Sequence, residues 1–238
     1  MDRFTENTKL LNYNHKLIRE LNSQKQWSQL DEYDKISEIY NYVKNEILFG
    51  YTDSDNIKAS DVLQQEFGNG TTKSILLMAL LRSNGIPCRF KGMKIKKEIH
   101  KGAITGMGYS ILPTNINHGW TEIFFNEKWI VLEGVTIDDG YLNTILSLFK
   151  NIKRNLNGYA IAIIDRSELN TSWNGKNTYV QRGGIVKYLE VFNSPDDFFK
   201  YYKSNLTGLK HFIFKNFLMK KINRNVIKIR GGSLKLNA

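Results

Sequence analysis

The sequence predicts an α+β fold, because helical periodicity comes first, mostly consecutive strand-like runs follow, and helical patterns return at the end. Two observations near the start support this. Leu10, Leu11, Leu17, Ile18 and Leu21 form one apolar stripe, and Tyr33, Ile36, Ile39, Tyr40, Val43 and Ile47 form a cleaner one. The third is the run from Lys73 to Arg82, which is apolar around most of its circumference and therefore predicts a buried central helix.

Taken in order, Ser60 is expected to cap a short turn containing Asp61, Val62 and Leu63. Gly68, Asn69 and Gly70 read as a flexible loop, with Thr71 and Thr72 as N-cap candidates for the central helix. Asn84 and Gly85 supply a left-handed stop, and Pro87 prevents continuation. Strands are expected at Cys88–Ile95, Met107–Leu112, Gly119–Phe125, Trp129–Leu132 and Tyr159–Ile164. Helices are expected at Asp196–Tyr202 and Leu209–Met219. With no repeat or Pro/Gly-rich linker, the expected organisation is a core over 1–150 that includes the N-terminal helices. An extension over 151–238 packs on it, within one continuous globular unit.

Composition narrows the functional classes. At 238 residues, 41% hydrophobic and 24% charged, the chain has ordinary globular composition. It contains no apolar run near the roughly 18 residues of a membrane helix, and no apolar leader at the N-terminus. Cys88 is the lone cysteine, which excludes an intramolecular disulfide. A cytoplasmic protein is the expectation. His15, His100, His118 and His211 are scattered without ligand spacing, so no metal or other cofactor is expected. The net charge of +11 suits an anionic partner such as nucleic acid or an anionic membrane, and equally suits a merely Lys-rich composition. No zinc-finger, RRM or KH signature is present.

The chemistry-bearing residues lie on a hairpin and at the central helix. A turn around Asn126 and Glu127 pairs Phe125 with Lys128 and Phe124 with Trp129, which sets Trp120 opposite Glu133. His118 then shares a face with Glu133, about 7–8 Å away diagonally. A carboxylate there holds one imidazole nitrogen and leaves the other as a base, although a surface ion pair fits the same pattern. A glycine-bounded loop opening a buried helix is also a good seat for a thiol nucleophile, because helix N-termini carry free N–H groups and positive dipole.

The segment GNGTTKSILLMALLRSNGIPCRF resembles the transglutaminase-like superfamily, whose bacterial members carry G-Q-C-x-T-K opening such a helix. HGWTEIFF and KWIVLEG resemble the family's H-x-W-x-E-V segment and the following tryptophan and acidic residue. The resemblance continues through GVTIDDGYL, WNGKNTYVQ, SPDDFF and the basic terminus, covering the chain from about Tyr33 onward. It implies a papain-like fold in which the central helix packs on a mainly antiparallel sheet, and Cys-His-Asp acyl transfer or amide hydrolysis. By the resemblance, His118 matches the base, Glu133 the acidic orienter and Gly70 the nucleophile position. Asn69 is placed to line an oxyanion pocket and Trp120 to wall the cleft.

Glycine carries no nucleophile, and Cys88 lies beyond the far end of a helix spanning about 20 Å. A threonine hydroxyl at 71 or 72 is a poor nucleophile without a well-placed base. Lys73 and Arg82 read as capping or solvating their helix, Glu122 as an exposed strand charge, and Trp129 as core or cross-strand packing. The leading expectation is a non-catalytic relative whose cleft binds a peptide or protein. The alternatives are the Cys-to-Gly form of an active transglutaminase or cysteine peptidase, and a basic scaffold for nucleic acid or anionic membrane.

Overall fold

A computed structural model describes residues 2–232. Helices α1 (Lys16–Lys25) and α2 (Glu32–Asn45) come first, followed by α3 (Ala59–Gln65) and the central α4 (Gly70–Ser83). The two-residue strands β1 (Leu48–Phe49) and β2 (Phe67–Gly68) pair in parallel beside the start of α4. The main sheet has the order β5-β4-β3-β8 and is antiparallel throughout. It is built from β3 (Cys88–Lys96), β4 (Asn115–Phe125), β5 (Lys128–Val131) and β8 (Ile185–Phe192). Helix α5 (Gly106–Ser110) precedes β4, and α6 (Asp139–Leu148) precedes the hairpin β6 (Arg154–Gly158) and β7 (Ile161–Asp165). Helix α7 (Pro195–Tyr201) leads to a helical stretch comprising α8 (Gly208–Ile213), a π-turn (Phe214–Leu218) and α9 (Met219–Arg230).

The chain is thus α+β, with helix α4 buried from Gly70 to Arg82 between α2, α3 and strand β4. Because α4 is apolar around most of its circumference, it has no solvent face, and Lys73 and Arg82, expected to cap or solvate the helix, are instead buried and donate to backbone carbonyls. Lys73 Nζ donates to the Lys44 carbonyl at 2.9 Å, and burial pushes its pKa down to about 7. Arg82 donates to the carbonyls of Glu6, Cys88 and Asn193, which ties the helix end to three segments. The stop is as expected: Gly85 adopts φ +81°, and Ile86 N donates back to the Leu81 carbonyl.

Several local expectations are corrected. The segment Met107–Leu112 is not a strand but holds most of α5; Gly106 turns at φ +56°, and the bare Cα of Gly108 lets this short helix sit against Ile104 and Ile222. Leu10 and Leu11 are buried in turns before α1 rather than in the helix. The cap of α3 falls at Lys58, with Ser60 inside the helix. Tyr159 and Ala160 form the left-handed turn between β6 and β7, so that strand starts at Ile161. Strand β8 was not anticipated; it lies beyond residue 150 and completes the sheet along β3.

Candidate functional site

Helix α4 begins at Gly70, one residue after its cap. The Asn69 side-chain oxygen accepts from Thr71 N at 3.0 Å and Thr72 N at 3.1 Å, while Asn69 N donates to Thr72 Oγ1 at 2.9 Å. This reciprocal capping box replaces the expected flexible loop and leaves Thr71 out of the capping role. Asn69 Nδ2 is committed too, donating to Thr52 Oγ1 at 3.1 Å and Asp55 Oδ1 at 2.8 Å. Both of its amide hydrogens are therefore engaged within the fold, so Asn69 lines the pocket without a free amide donor for an oxyanion.

Strand β4 brings His118 to this helix start. A Cβ built on Gly70 would lie 2.5 Å from His118 Cε1, with Thr136 Oγ1 and Cγ2 at 3.0 and 3.1 Å. His118 Nδ1 and Thr71 Oγ1 share a hydrogen bond of 3.2 Å, while His118 Nε2 has no partner among the described residues. Burial, and secondarily the nearby His100, pushes the imidazole pKa down to about 3. The ring is neutral at ordinary pH.

Glu133 does not reach His118 with a hydrogen bond. The hairpin register pairs Phe124 with Trp129 and Phe125 with Lys128, but β5 ends at Val131 and the chain turns into a 3₁₀ segment at Glu133–Thr136. Glu133 Oε2 accepts instead from Val180 N at 2.5 Å and Gln181 N at 3.1 Å, and Oε1 is unmatched among the described residues. Burial outweighs those two donors and raises the carboxyl to about 7. Its partners lie 47 and 48 residues away, so no local pattern could have revealed them.

A pocket opens at this point. Gly70, Thr71, His118 and Gln181 contribute to one side, and Phe49, Tyr51, Ile104, Leu112, Leu206 and Phe214 to its apolar walls. Asp55 lies at its polar edge, held by Asn69 Nδ2 and Asn205 Nδ2, both at 2.8 Å. Burial raises the Asp55 pKa despite both amides. Tyr51 O–H and His100 Nδ1 meet at 2.8 Å on another wall, where burial lowers His100 to about 4. Sequence reasoning missed Asp55 and Asn205, which come from loops and lack a motif, and gave no role to Gln181, which ends the WNGKNTYVQ segment.

Trp120 is buried but does not belong to the pocket lining; it packs edge-on against Tyr179 and Tyr188. Glu122, expected to be an exposed strand charge, is buried and pairs with Arg89 at 2.6 Å, and Arg89 in turn covers the Trp129 ring. Cys88 is fully buried at the start of β3, its thiol raised to about 12 by burial. Among the described residues, no group of three His, Cys, Asp or Glu side chains is placed to hold a metal ion.

A search of the curated proteins finds no match. Among solved structures, the chain is similar to one described as a "Putative Cysteine Protease" from Cytophaga hutchinsonii. The two are 16% identical, with a TM-score of 0.45, over 82% of this chain and 47% of that one. The chain therefore spans about half the length of that structure. The family model for the transglutaminase-like superfamily matches residues 19–134, a range that holds α2, α4, Gly70, His118 and Glu133. Over residues 19–134 the chain is transglutaminase-like.

Proposed function

We propose that this chain is a non-catalytic transglutaminase-like protein whose pocket binds a peptide or protein segment. The observation that carries this reading is the place of His118, which fills the space where a side chain at position 70 would begin. Glycine offers no atom for covalent attack, so the family's acyl-enzyme route is closed here. An imidazole with its pKa near 3 is also a weak base at neutral pH, so the Thr71 hydroxyl beside it stays unactivated.

Two pocket-lining residues support the choice of ligand. His118 Nε2 and Gln181 Oε1 are both buried and unmatched among the described residues. Gln181 Oε1 is an acceptor, and His118 Nε2 carries the ring hydrogen when Nδ1 accepts from Thr71. An amide group, with one donor and one acceptor, complements that pair. The surrounding apolar walls suit a side chain attached to it.

The test uses a blocked glutaminyl dipeptide with the unaltered protein. The His118 ring resonances shift saturably on titration, with no ammonia released and no added amine incorporated. Turnover of the dipeptide would sink the non-catalytic part, and an unmoved His118 spectrum at millimolar peptide would sink the binding part. Gly70→Cys adds a second check. Its thiol must displace a neutral ring that carries no charge to stabilise thiolate, so alkylation by iodoacetamide stays within about tenfold of free cysteine. The sequence pattern alone predicts rapid reaction there, so a fast-reacting thiol would show that the triad reassembles.

A further inference from the structure

We infer that the helical stretch Gly208–Arg230 docks on an anionic phospholipid surface. From position 198 to 238 the sequence holds ten Lys and Arg and no Asp or Glu, so nearly all of the +11 net charge is concentrated there. Within the stretch, Lys210, Lys215, Lys220, Lys221, Arg224 and Lys228 are all exposed. Phe214, Ile222, Val226 and Ile229 face inward and anchor it to the fold.

The outward apolar residues are what a merely Lys-rich composition leaves unexplained. Leu209, Phe212 and Phe217 are 73%, 56% and 66% exposed. In a regular α-helix, residues five apart point about 140° away from each other. The π-turn at Phe214–Leu218 widens the helix so that the five-residue spacing approaches one full turn. Phe212 and Phe217 are thereby brought together, with ring centroids 6.2 Å apart and planes at 68°. Leu209 precedes Phe212 by three residues, on the same side.

Cations flanking a compact Leu/Phe patch are the pattern of a helix lying in the headgroup region. Each Lys or Arg held near an anionic leaflet adds about fivefold to binding. A single-stranded nucleic acid would instead want ring faces open for stacking, and here the two rings meet edge to face beside an aliphatic leucine. Docking is peripheral, since no described helix is long and apolar enough to cross a membrane. It also involves the pocket, because Phe214 lines it and Lys215 pairs with Asp53 on its wall at 2.8 Å.

Co-sedimentation of the full chain with two vesicle types tests the inference. One is phosphatidylcholine alone, and the other contains about 30% phosphatidylglycerol. The unaltered protein prefers the anionic vesicles by about tenfold or more, and added salt weakens that preference. The exposed pairs Phe212→Ser/Phe217→Ser and Lys220→Glu/Lys221→Glu each lower anionic-vesicle binding by about tenfold, with unchanged melting temperatures. Equal binding to both vesicle types would overturn the inference. So would a phenylalanine variant that melts normally and binds vesicles as the unaltered chain does. A labelled oligouridine bound tightly through Lys220 and Lys221, with vesicles ignored, would make the patch a nucleic-acid surface and equally overturn it.

Discussion

His118 stands against the bare Cα of Gly70, its Cε1 only 2.5 Å from where a Cβ would be. The contact explains why the imidazole bonds Thr71, the next residue of the helix, rather than a group at position 70. It also makes position 70 unusually sensitive to size, since Thr136 closes the other side at 3.0 Å.

Gly70→Ala is therefore expected to destabilise the fold, although alanine favours helix. Overpacking costs about 1–3 kcal/mol, while the Gly-to-Ala gain at an unstrained position is about 0.4–1 kcal/mol. The net loss should be read as a lowered urea midpoint. A raised midpoint would mean that the ring moves aside freely.

Thr71→Val keeps the shape and removes the hydroxyl that His118 Nδ1 meets at 3.2 Å. The buried ring is then left with neither nitrogen partnered, at a cost of about 1–3 kcal/mol. Thr71→Ser should retain most of the stability. Equal midpoints for the serine and valine variants would show that the hydrogen bond contributes nothing.

Glu133 gives a pH signature of definite sign. Its carboxyl, raised to about 7 from an ordinary 4.5, binds a proton more readily in the folded than in the unfolded chain. Its contribution is complete below about pH 4.5 and is lost as pH rises through about 7, at up to about 1.4 kcal/mol per unit. Glu133→Gln keeps a carbonyl for Val180 and Gln181 and removes the titration. Urea midpoints compared at about pH 5 and about pH 8 should fall more for the unaltered protein than for the variant. Parallel midpoints would refute the raised carboxyl.

His118 acts in the opposite direction. With a folded pKa near 3 against an ordinary 6.5, the unfolded chain takes the proton first as the solution is acidified. Stability associated with the ring is complete above about pH 6.5 and is lost as pH falls toward 3. His118→Gln, which keeps a polar group for Thr71, should flatten the acid limb of the stability profile. An unchanged acid limb would place the ring in contact with water.

What the sequence revealed and what it hid follow physical range. The buried helix, its Gly85 stop and the Phe124–Trp129 register depend on neighbours a few residues apart, and the structure has all three. Glu133 leaves its strand because Leu132 turns at φ −114° and ψ 44°, and its two donors come from Val180 and Gln181. Nothing within the hairpin specifies that exit. Strand β8 went unseen because only Leu189 and Phe192 are buried, too few to set a period of two. The π-turn that brings Phe212 and Phe217 together likewise obeys no repeat visible beforehand.

Asp138 joins α9 to the rest of the fold and supports the last prediction. Its carboxylate accepts from Phe49 N and Tyr141 N at 2.9 Å, and from Arg230 Nε and Nη2 at 3.0 and 2.8 Å. Burial opposes its ionisation, yet the Arg230 guanidinium and these donors hold its pKa below the ordinary value. Asp138→Asn leaves a largely buried guanidinium without its counter-charge, and the expected loss is about 3–5 kcal/mol. Arg230→Met in the same chain should recover part of that loss, because the unpaired charge is removed with it. If the two substitutions simply add in urea denaturation, the pair is not coupled and α9 is held by its apolar face and the hydrogen bonds of Asn223 and Asn225.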